Sequence, residues 1–296
     1  MYFLNCIYKN SENLAVLSKD KDKVVFIKDI LNKDFKDMND FIENFTEDIK
    51  NKIYISLKNE NEKFVDIREI TVLSPIPKPR RSLFCLGKNY FEHMKELSKE
   101  EIKRESIENP IYFLKMASET IGTNENIIYN KSVTNELDYE VELAVIIGKT
   151  GKNIKKEDVK NYIFGYTVAN DVTARDLQSK HKQWAVGKSL DTFCPIGPYI
   201  VYKDEISYPP KLNICSKVND EIRQESNTSE MMFDIDYIIS DLSKGITLRP
   251  GDIILTGTPK GVGKGFNPPR YLKDSDVVEC YVENIGTIIN KIHEEN

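Results

Sequence analysis

Short apolar runs separated by charged stretches set the pattern of this chain. Over residues 1–72, Tyr2–Tyr8, Leu14–Leu17 and Val24–Ile27 alternate with polar segments, and Asp37–Lys50 mixes apolar and charged positions. That pattern predicts a small β-rich unit of short strands with one helix. Ser74-Pro75-Ile76-Pro77-Lys78-Pro79 follows. Proline lacks the N–H a sheet ladder needs and disfavours helix, so residues 73–79 predict a connector. Beyond it, Leu83–Leu86 (ended by Gly87), Tyr139–Gly148, Tyr162–Val168, Tyr199–Tyr202, Leu212–Val218, Ile253–Leu255 and Val277–Val282 have strand composition. Only Phe91–Arg104 and Met231–Ser243 have convincing helical character. Many short strands between Gly, Pro and Asn turns, with few helices, predict a mixed, β-rich fold and argue against a βαβ winding. The expected organisation is an accessory unit at 1–72, a connector at 73–79 and the main domain at 80–296.

Composition narrows the function classes. The 296 residues are 40% apolar and 30% charged with a net charge of −5, an ordinary globular balance. A mildly acidic chain with scattered lysines is not built to neutralise a phosphate backbone, so no nucleic-acid partner is expected. The five cysteines are isolated and the three histidines lie near no cysteine pair. That fits a reduced compartment and argues against structural zinc. No basic segment followed by a long apolar one opens the chain. The best apolar run, Leu143–Gly148, is six residues, far short of a bilayer span. The expectation is a cytoplasmic protein with no membrane partner.

The chemistry concentrates in Asp138-Tyr139-Glu140-Val141-Glu142. On a strand, residues two apart share a face, so Glu140 and Glu142 project together beside an apolar run. Crowded carboxylates need a cation or a shared proton if buried. The same pair also suits an edge strand with both groups in water. Asp171 sits at the end of the apolar stretch Phe164–Asn170, where it could join them or simply cap the following turn. Three carboxylates without a soft ligand suit Mg²⁺ or Mn²⁺, with Ca²⁺ a further option. Thr256-Gly257-Thr258-Pro259-Lys260-Gly261-Val262-Gly263 fits neither glycine-rich nucleotide pattern. As a turn after a strand it can offer the Gly257 N–H and the Thr258 hydroxyl to a carboxylate, or serve only as a tight turn.

Five motifs occurring in order give the chain a family likeness. They are Phe84-Cys85-Leu86-Gly87-Lys88-Asn89-Tyr90-Phe91-Glu92-His93, Asp138–Glu142, Asn170-Asp171-Val172-Thr173-Ala174-Arg175-Asp176, Gly187-Lys188-Ser189-Leu190-Asp191-Thr192-Phe193 and Gly251–Gly263. Together they resemble the fumarylacetoacetate hydrolase family from about Arg80 to Ile292. The resemblance implies a mixed β-sandwich roll, a homodimer and a divalent metal held by Glu140, Glu142 and Asp171. It places the catalytic histidine at His93, with Glu96 three residues on to orient the imidazole and raise its basicity. It puts Lys188 beside the metal, stabilising a developing enolate. Arg175 and Gln178 fall at substrate positions, where an arginine fork suits a carboxylate; a pair with Asp176 or Glu142 is the other reading of Arg175. Glu92–Asn109 is expected to form a lid that closes over the metal.

Small 2-oxo or 1,3-diketo carboxylic acids are the implied substrates. The leading expectation is a metal-dependent hydrolase of acylpyruvate or fumarylpyruvate type, with His93 activating water for carbon–carbon cleavage. Some hydrolytic members carry an extra acid shortly before the histidine, and Leu83–Tyr90 has none. That departure favours the smaller acylpyruvate or oxaloacetate sites over fumarylacetoacetate itself. The alternatives are an oxaloacetate-type decarboxylase or a 2-hydroxyhepta-2,4-diene-1,7-dioate or 5-carboxymethyl-2-hydroxymuconate isomerase, in which His93 only moves a proton. A non-catalytic binding member is opposed by the intact residue set. The accessory unit at 1–72 is expected to supply no metal ligand.

Overall fold

The computed structural model describes residues 1–59, 63–98 and 101–295. The N-terminal segment forms β1 (Tyr2–Tyr8), β2 (Ser11–Leu17) and β3 (Lys23–Phe26), then α1 (Ile27–Leu31), α2 (Met38–Glu43) and α3 (Glu47–Asn59). The short strands β4 (Val65–Asp66) and β5 (Thr71–Val72) close it. Among the described residues three helices stand where the pattern predicted one, because local caps divide the stretch. The Asp37 side chain accepts from the Asp40 N–H at 2.8 Å, and the Thr46 hydroxyl accepts from the Ile49 N–H at 3.3 Å.

After the connector come β6 (Leu83–Gly87), α4 (Phe91–Leu97), β7 (Ile111–Lys115), β8 (Ile127–Tyr129), β9 (Leu137–Asp138), β10 (Val141–Ile147) and β11 (Ile163–Asn170). Then follow β12 (Thr173–Ala174), α5 (Arg175–Lys180), α6 (Ala185–Lys188), β13 (Ile196–Tyr202), β14 (Asn213–Val218) and β15 (Glu221–Asn227). The chain ends with α7 (Ile235–Gly245), β16 (Ile253–Leu255), β17 (Val277–Val282) and β18 (Gly286–Glu294).

Two helices differ from the expectation. α4 stops at Leu97 and does not run to Arg104; Ser98 turns to extended backbone. Lys103–Ser106 are exposed and make a tight turn, with no apolar face to bury. Lys99 and Glu100, also within the expected helix, lie outside the described residues. α7 starts at Ile235, not Met231, because the Asp234 side chain caps it through the Tyr237 N–H at 2.7 Å.

Among the described residues the strands form an eleven-stranded sheet in the order β4-β3-β2-β1-β13-β11-β10-β16-β6-β7, with β5 beside β1. A second sheet runs β15-β14-β17-β18-β8. This is the mixed, β-rich class that the pattern predicts. β1 pairs antiparallel with β13, so the N-terminal strands continue the sheet that carries β10 and β11.

Within the large sheet β10 and β11 are buried on both faces, which is why Leu143–Ile147 reads as an unbroken apolar run. Val141, Leu143, Val145 and Ile147 pack with Ile214, Val278 and Ile288 of the second sheet and Ile239 of α7. Ala144 and Ile146 point the other way, into a core shared with Phe3, Phe41 and Phe164. There the N-terminal helices cover the sheet through aromatic contacts: Phe3–Phe41 at 5.3 Å between ring centroids and Phe45–Phe164 at 5.1 Å. Each such pair adds about 0.5–1.5 kcal/mol beyond its burial. Among the described residues no helix is long and apolar enough to cross a membrane.

Candidate active site and metal centre

The carboxylates meet where β10 begins and β11 ends. β10 starts at Val141, so Glu140 is not on the strand as the sequence pattern had it. It is held on the same side by its neighbours: its N–H donates to the Asn170 side chain at 2.9 Å, and the Asp171 N–H donates to its carbonyl at 2.8 Å. These bonds carry Asp171 to the glutamates. Glu140, Glu142 and Asp171 are all buried, and each offers a carboxylate oxygen within 4.8 Å of the others.

Three cations partly balance this cluster. Lys188, at the end of α6, donates to Glu140 Oε2 at 2.7 Å and to Asp171 Oδ2 at 2.6 Å. Lys115, at the end of β7 and wholly buried, donates to Asp171 Oδ1 at 2.7 Å and to the Val172 carbonyl at 3.1 Å. Arg175 pairs through Nη1 with Glu140 Oε1 at 2.6 Å and through Nε with Asp138 Oδ2 at 2.8 Å. Burial pushes the Glu140 carboxyl up, but Lys188, Arg175 and His93 outweigh it and bring it down to about 2. The same balance works in reverse for Lys188: burial opposes its charge, and Asp171 and Glu140 hold it above the usual lysine value.

Glu142 is different. The Gly257 N–H donates to its Oε2 at 2.6 Å, and it forms no ion pair among the described residues. Burial, then Asp171, then Glu140 push its carboxyl well above the ordinary range. With all its acids ionised the cluster would therefore hold more negative charge than Lys115, Lys188 and Arg175 meet, and without a cation a proton on Glu142 relieves that excess. An all-oxygen donor set with that excess fits a hard divalent ion. Glu140, Glu142 and Asp171 would hold it.

His93 lies beside this cluster on the first turns of α4 and is buried. Its Nδ1 is 2.7 Å from Glu96 Oε1, which assigns the Nδ1 proton to that bond. Nε2 is then the free base, with no partner among the described residues. Glu96 Oε2 in turn accepts from the Gly261 N–H at 2.8 Å, so α4 is docked on the loop after β16. Gly261 has φ 102°, and a Cβ there would lie 1.9 Å from the Arg223 carbonyl oxygen. Only glycine allows that turn. Of the segment expected to be a lid, α4 is thus seated beside the carboxylates through Glu96.

A cavity of about 300 Å³ opens onto these groups, lined among others by His93, Glu140, Arg175, Gln178, Lys188 and Thr258. That is the small end of ligand-cavity sizes. Phe113 and Trp184, whose rings are 5.2 Å apart, form its apolar wall. Arg175 pairs with Asp138 and Glu140, not with Asp176 or Glu142, and its buried Nη2 has no partner. Gln178 Oε1 accepts from Arg175 Nη1 at 3.3 Å. The two turn residues are engaged inside the protein. The Gly257 N–H serves Glu142, and the Thr258 hydroxyl donates to the Val141 carbonyl at 2.9 Å while accepting from Gln224 Nε2 at 2.7 Å.

Two residues of the site escaped the sequence reading. Lys115 closes the apolar run Ile111–Leu114, the same signal that marked Asp171. Asp138 opens the acidic motif and accepts from the Gly263 N–H at 2.6 Å, the Lys264 N–H at 3.0 Å and Arg175, fixing the loop and the arginine together.

Residues 82–293 match the family model described as fumarylacetoacetate (FAA) hydrolase C-terminal. The oxaloacetate tautomerase YisK of Bacillus subtilis (strain 168) is 47% identical over 226 residues, covering 76% of this chain and 74% of that protein. Among solved structures, the fumarylacetoacetate hydrolase from psychrophilic Exiguobacterium antarcticum aligns over 100% of both chains with a TM-score of 0.86 and 34% identity. The maleylpyruvate hydrolase from Sphingobium sp. SYK-6, in complex with manganese (II) ion and pyruvate, aligns over 100% of both chains with a TM-score of 0.81 and 26% identity.

Proposed function

Since the chain belongs to the fumarylacetoacetate hydrolase family, we propose that it interconverts the enol and keto forms of oxaloacetate or a close 2-oxo acid. The 47% identity to an oxaloacetate tautomerase carries this reading. It favours the oxaloacetate alternative over the acylpyruvate hydrolase to which the motifs first pointed.

Glu140, Glu142 and Asp171 would hold a divalent ion, Mg²⁺ or Mn²⁺, which would supply Lewis-acid polarisation of a 2-oxo group. Manganese in the maleylpyruvate hydrolase supports that pairing. The chain's own groups do the rest. Arg175, with Nη2 unpartnered, takes the carboxylate next to the keto group. His93 Nε2 removes a proton from C3 of the keto acid. The C–H electron pair becomes the C2–C3 double bond, and the carbonyl π pair moves onto O2, where Lys188 stabilises it. The imidazolium, steadied by Glu96 at Nδ1, returns the proton to O2 and leaves the enol. The reverse order gives the keto acid.

This reaction needs one base and no attacking water, which suits a buried histidine carried on the docked helix α4. The test is a spectrophotometric assay of enol decay with Mg²⁺ or Mn²⁺, run beside a product screen on acetylpyruvate. Faster approach to the keto–enol equilibrium of oxaloacetate, with acetylpyruvate intact, supports the reading. Cleavage of acetylpyruvate with uncatalysed oxaloacetate decay would replace it with the hydrolase.

A further inference from the structure

The cavity over the carboxylates is far more cationic than the molecule around it. The chain carries a net charge of −5. Yet Lys88, Arg175, Lys182, Lys188 and Lys264 all line this cavity, and Glu140 is its only carboxylate among the described residues. Glu140 is already paired with Lys188 and Arg175. The ammonium groups of Lys88, Lys182 and Lys264 form no hydrogen bond or ion pair among the described residues.

These charges are arranged in depth. Arg175 and Lys188 are each 2% exposed and form the floor. Lys88 and Lys264 are half-buried and Lys182 is exposed, so they form the rim. The rim residues come from three separate places: the turn after β6, the end of α5 and the loop after β16. Lys88 and Lys182 both adopt left-handed backbone, φ 58° and 60°, which residues bearing a Cβ rarely do. Like charges converging from separate elements repel one another, and a ligand of opposite charge relieves that repulsion.

We propose that Lys88, Lys182 and Lys264 form a seat for a second carboxylate, selecting dicarboxylic over monocarboxylic 2-oxo acids. The inference rests on the tautomerase reading for what happens at the floor of the site. One carboxylate and the keto oxygen occupy the floor, and the carboxylate at the far end of a four-carbon acid reaches the rim. A monocarboxylic acid leaves the three lysines without a partner and binds through the floor alone.

Malate and lactate test this, because they differ by the second carboxylate and neither can tautomerise. Calorimetry on the full-length Mn²⁺-loaded protein and on K88M, K182M, K264M and the triple variant gives both dissociation constants. Each single variant should weaken malate about fivefold, the scale of one partly exposed ion pair, and the triple variant should lose the preference for malate. Lactate affinity should not change, which also shows that the variants keep their fold. A triple variant that retains the malate preference overturns the proposal. So does one that loses lactate and malate equally, since the lysines would then act on the site as a whole. Wild-type turnover of oxaloacetate is measured alongside. Its absence would sink the tautomerase reading, while the malate–lactate comparison still decides the second-carboxylate seat.

Discussion

Replacing Glu142 by glutamine should make the metal-free protein more stable while removing its metal site. Carboxylate oxygens of Glu140, Glu142 and Asp171 lie within 4.8 Å of one another, and at an effective dielectric of about 20 one such pair of unit charges repels by roughly 3.5 kcal/mol. Lys188 and Lys115 offset part of that through Glu140 and Asp171. Glu142 has only the Gly257 N–H, a bond the glutamine carbonyl can keep. Its amide N–H₂ meets neighbouring carboxylates in place of like charge. Burial and Asp171 raise the pKa of the Glu142 carboxyl, so a proton relieves the wild type at low pH. The residual gain of about 1–2 kcal/mol, roughly 2–4 °C in Tm for a chain of this size, is therefore expected at alkaline pH and shrinks as pH falls. Scanning calorimetry in EDTA and then in Mn²⁺ reads both effects. At a hundredfold excess of ion over Kd the wild type should gain about 2.7 kcal/mol by mass action, and Glu142→Gln almost nothing. The order of the two melting temperatures should therefore invert on adding metal. A Glu142→Gln protein that melts lower than wild type in EDTA would refute the charge argument, showing that the lysines already balance the cluster.

His93→Ala should cut turnover by about 10²–10⁴-fold, the range for a general base, with Mn²⁺ affinity by calorimetry retained because His93 donates no ligand. Lys115→Met strands the buried Asp171 charge on one side, so a loss of about 3–5 kcal/mol is expected in EDTA, largely restored in Mn²⁺ on the same melting assay. Phe41→Ala opens the aromatic cluster under the N-terminal helices at a cost of about 3–5 kcal/mol. Urea unfolding should show that loss, with Mn²⁺ affinity per folded molecule unchanged.

Ile253–Leu255 was legible because burial on both faces leaves it apolar from end to end, and Val277–Val282 because Val278, Cys280 and Val282 line one buried face; both have their predicted bounds. β15 was not, since Glu221–Asn227 is polar and largely solvent-facing. β18 hides its alternation behind Asn290, a buried polar residue satisfied by the Gly122 and Glu125 carbonyls at 2.8 Å. Helices α2 and α3 depend on side-chain caps at Asp37 and Thr46, which hydrophobic period alone does not register. At the site, the acids stood out because carboxylates beside apolar runs are unusual. Lys115 did not, because its partners Asp171 and Val172 are more than fifty residues away along the chain. The uses of Gly257 and Thr258 were equally out of reach, since both depend on the register of β16 against β10.

The central claim is that His93 moves one proton and activates no water. Its most direct measurement is ketonisation of the oxaloacetate enol in D₂O, with the product trapped by immediate reduction to malate and read by NMR. A base held on one face of the cavity predicts faster ketonisation by the wild type, deuterium at a single stereochemical position of C3, and loss of both in His93→Ala. Deuterium spread over both C3 positions at the uncatalysed rate, with or without His93, would contradict it.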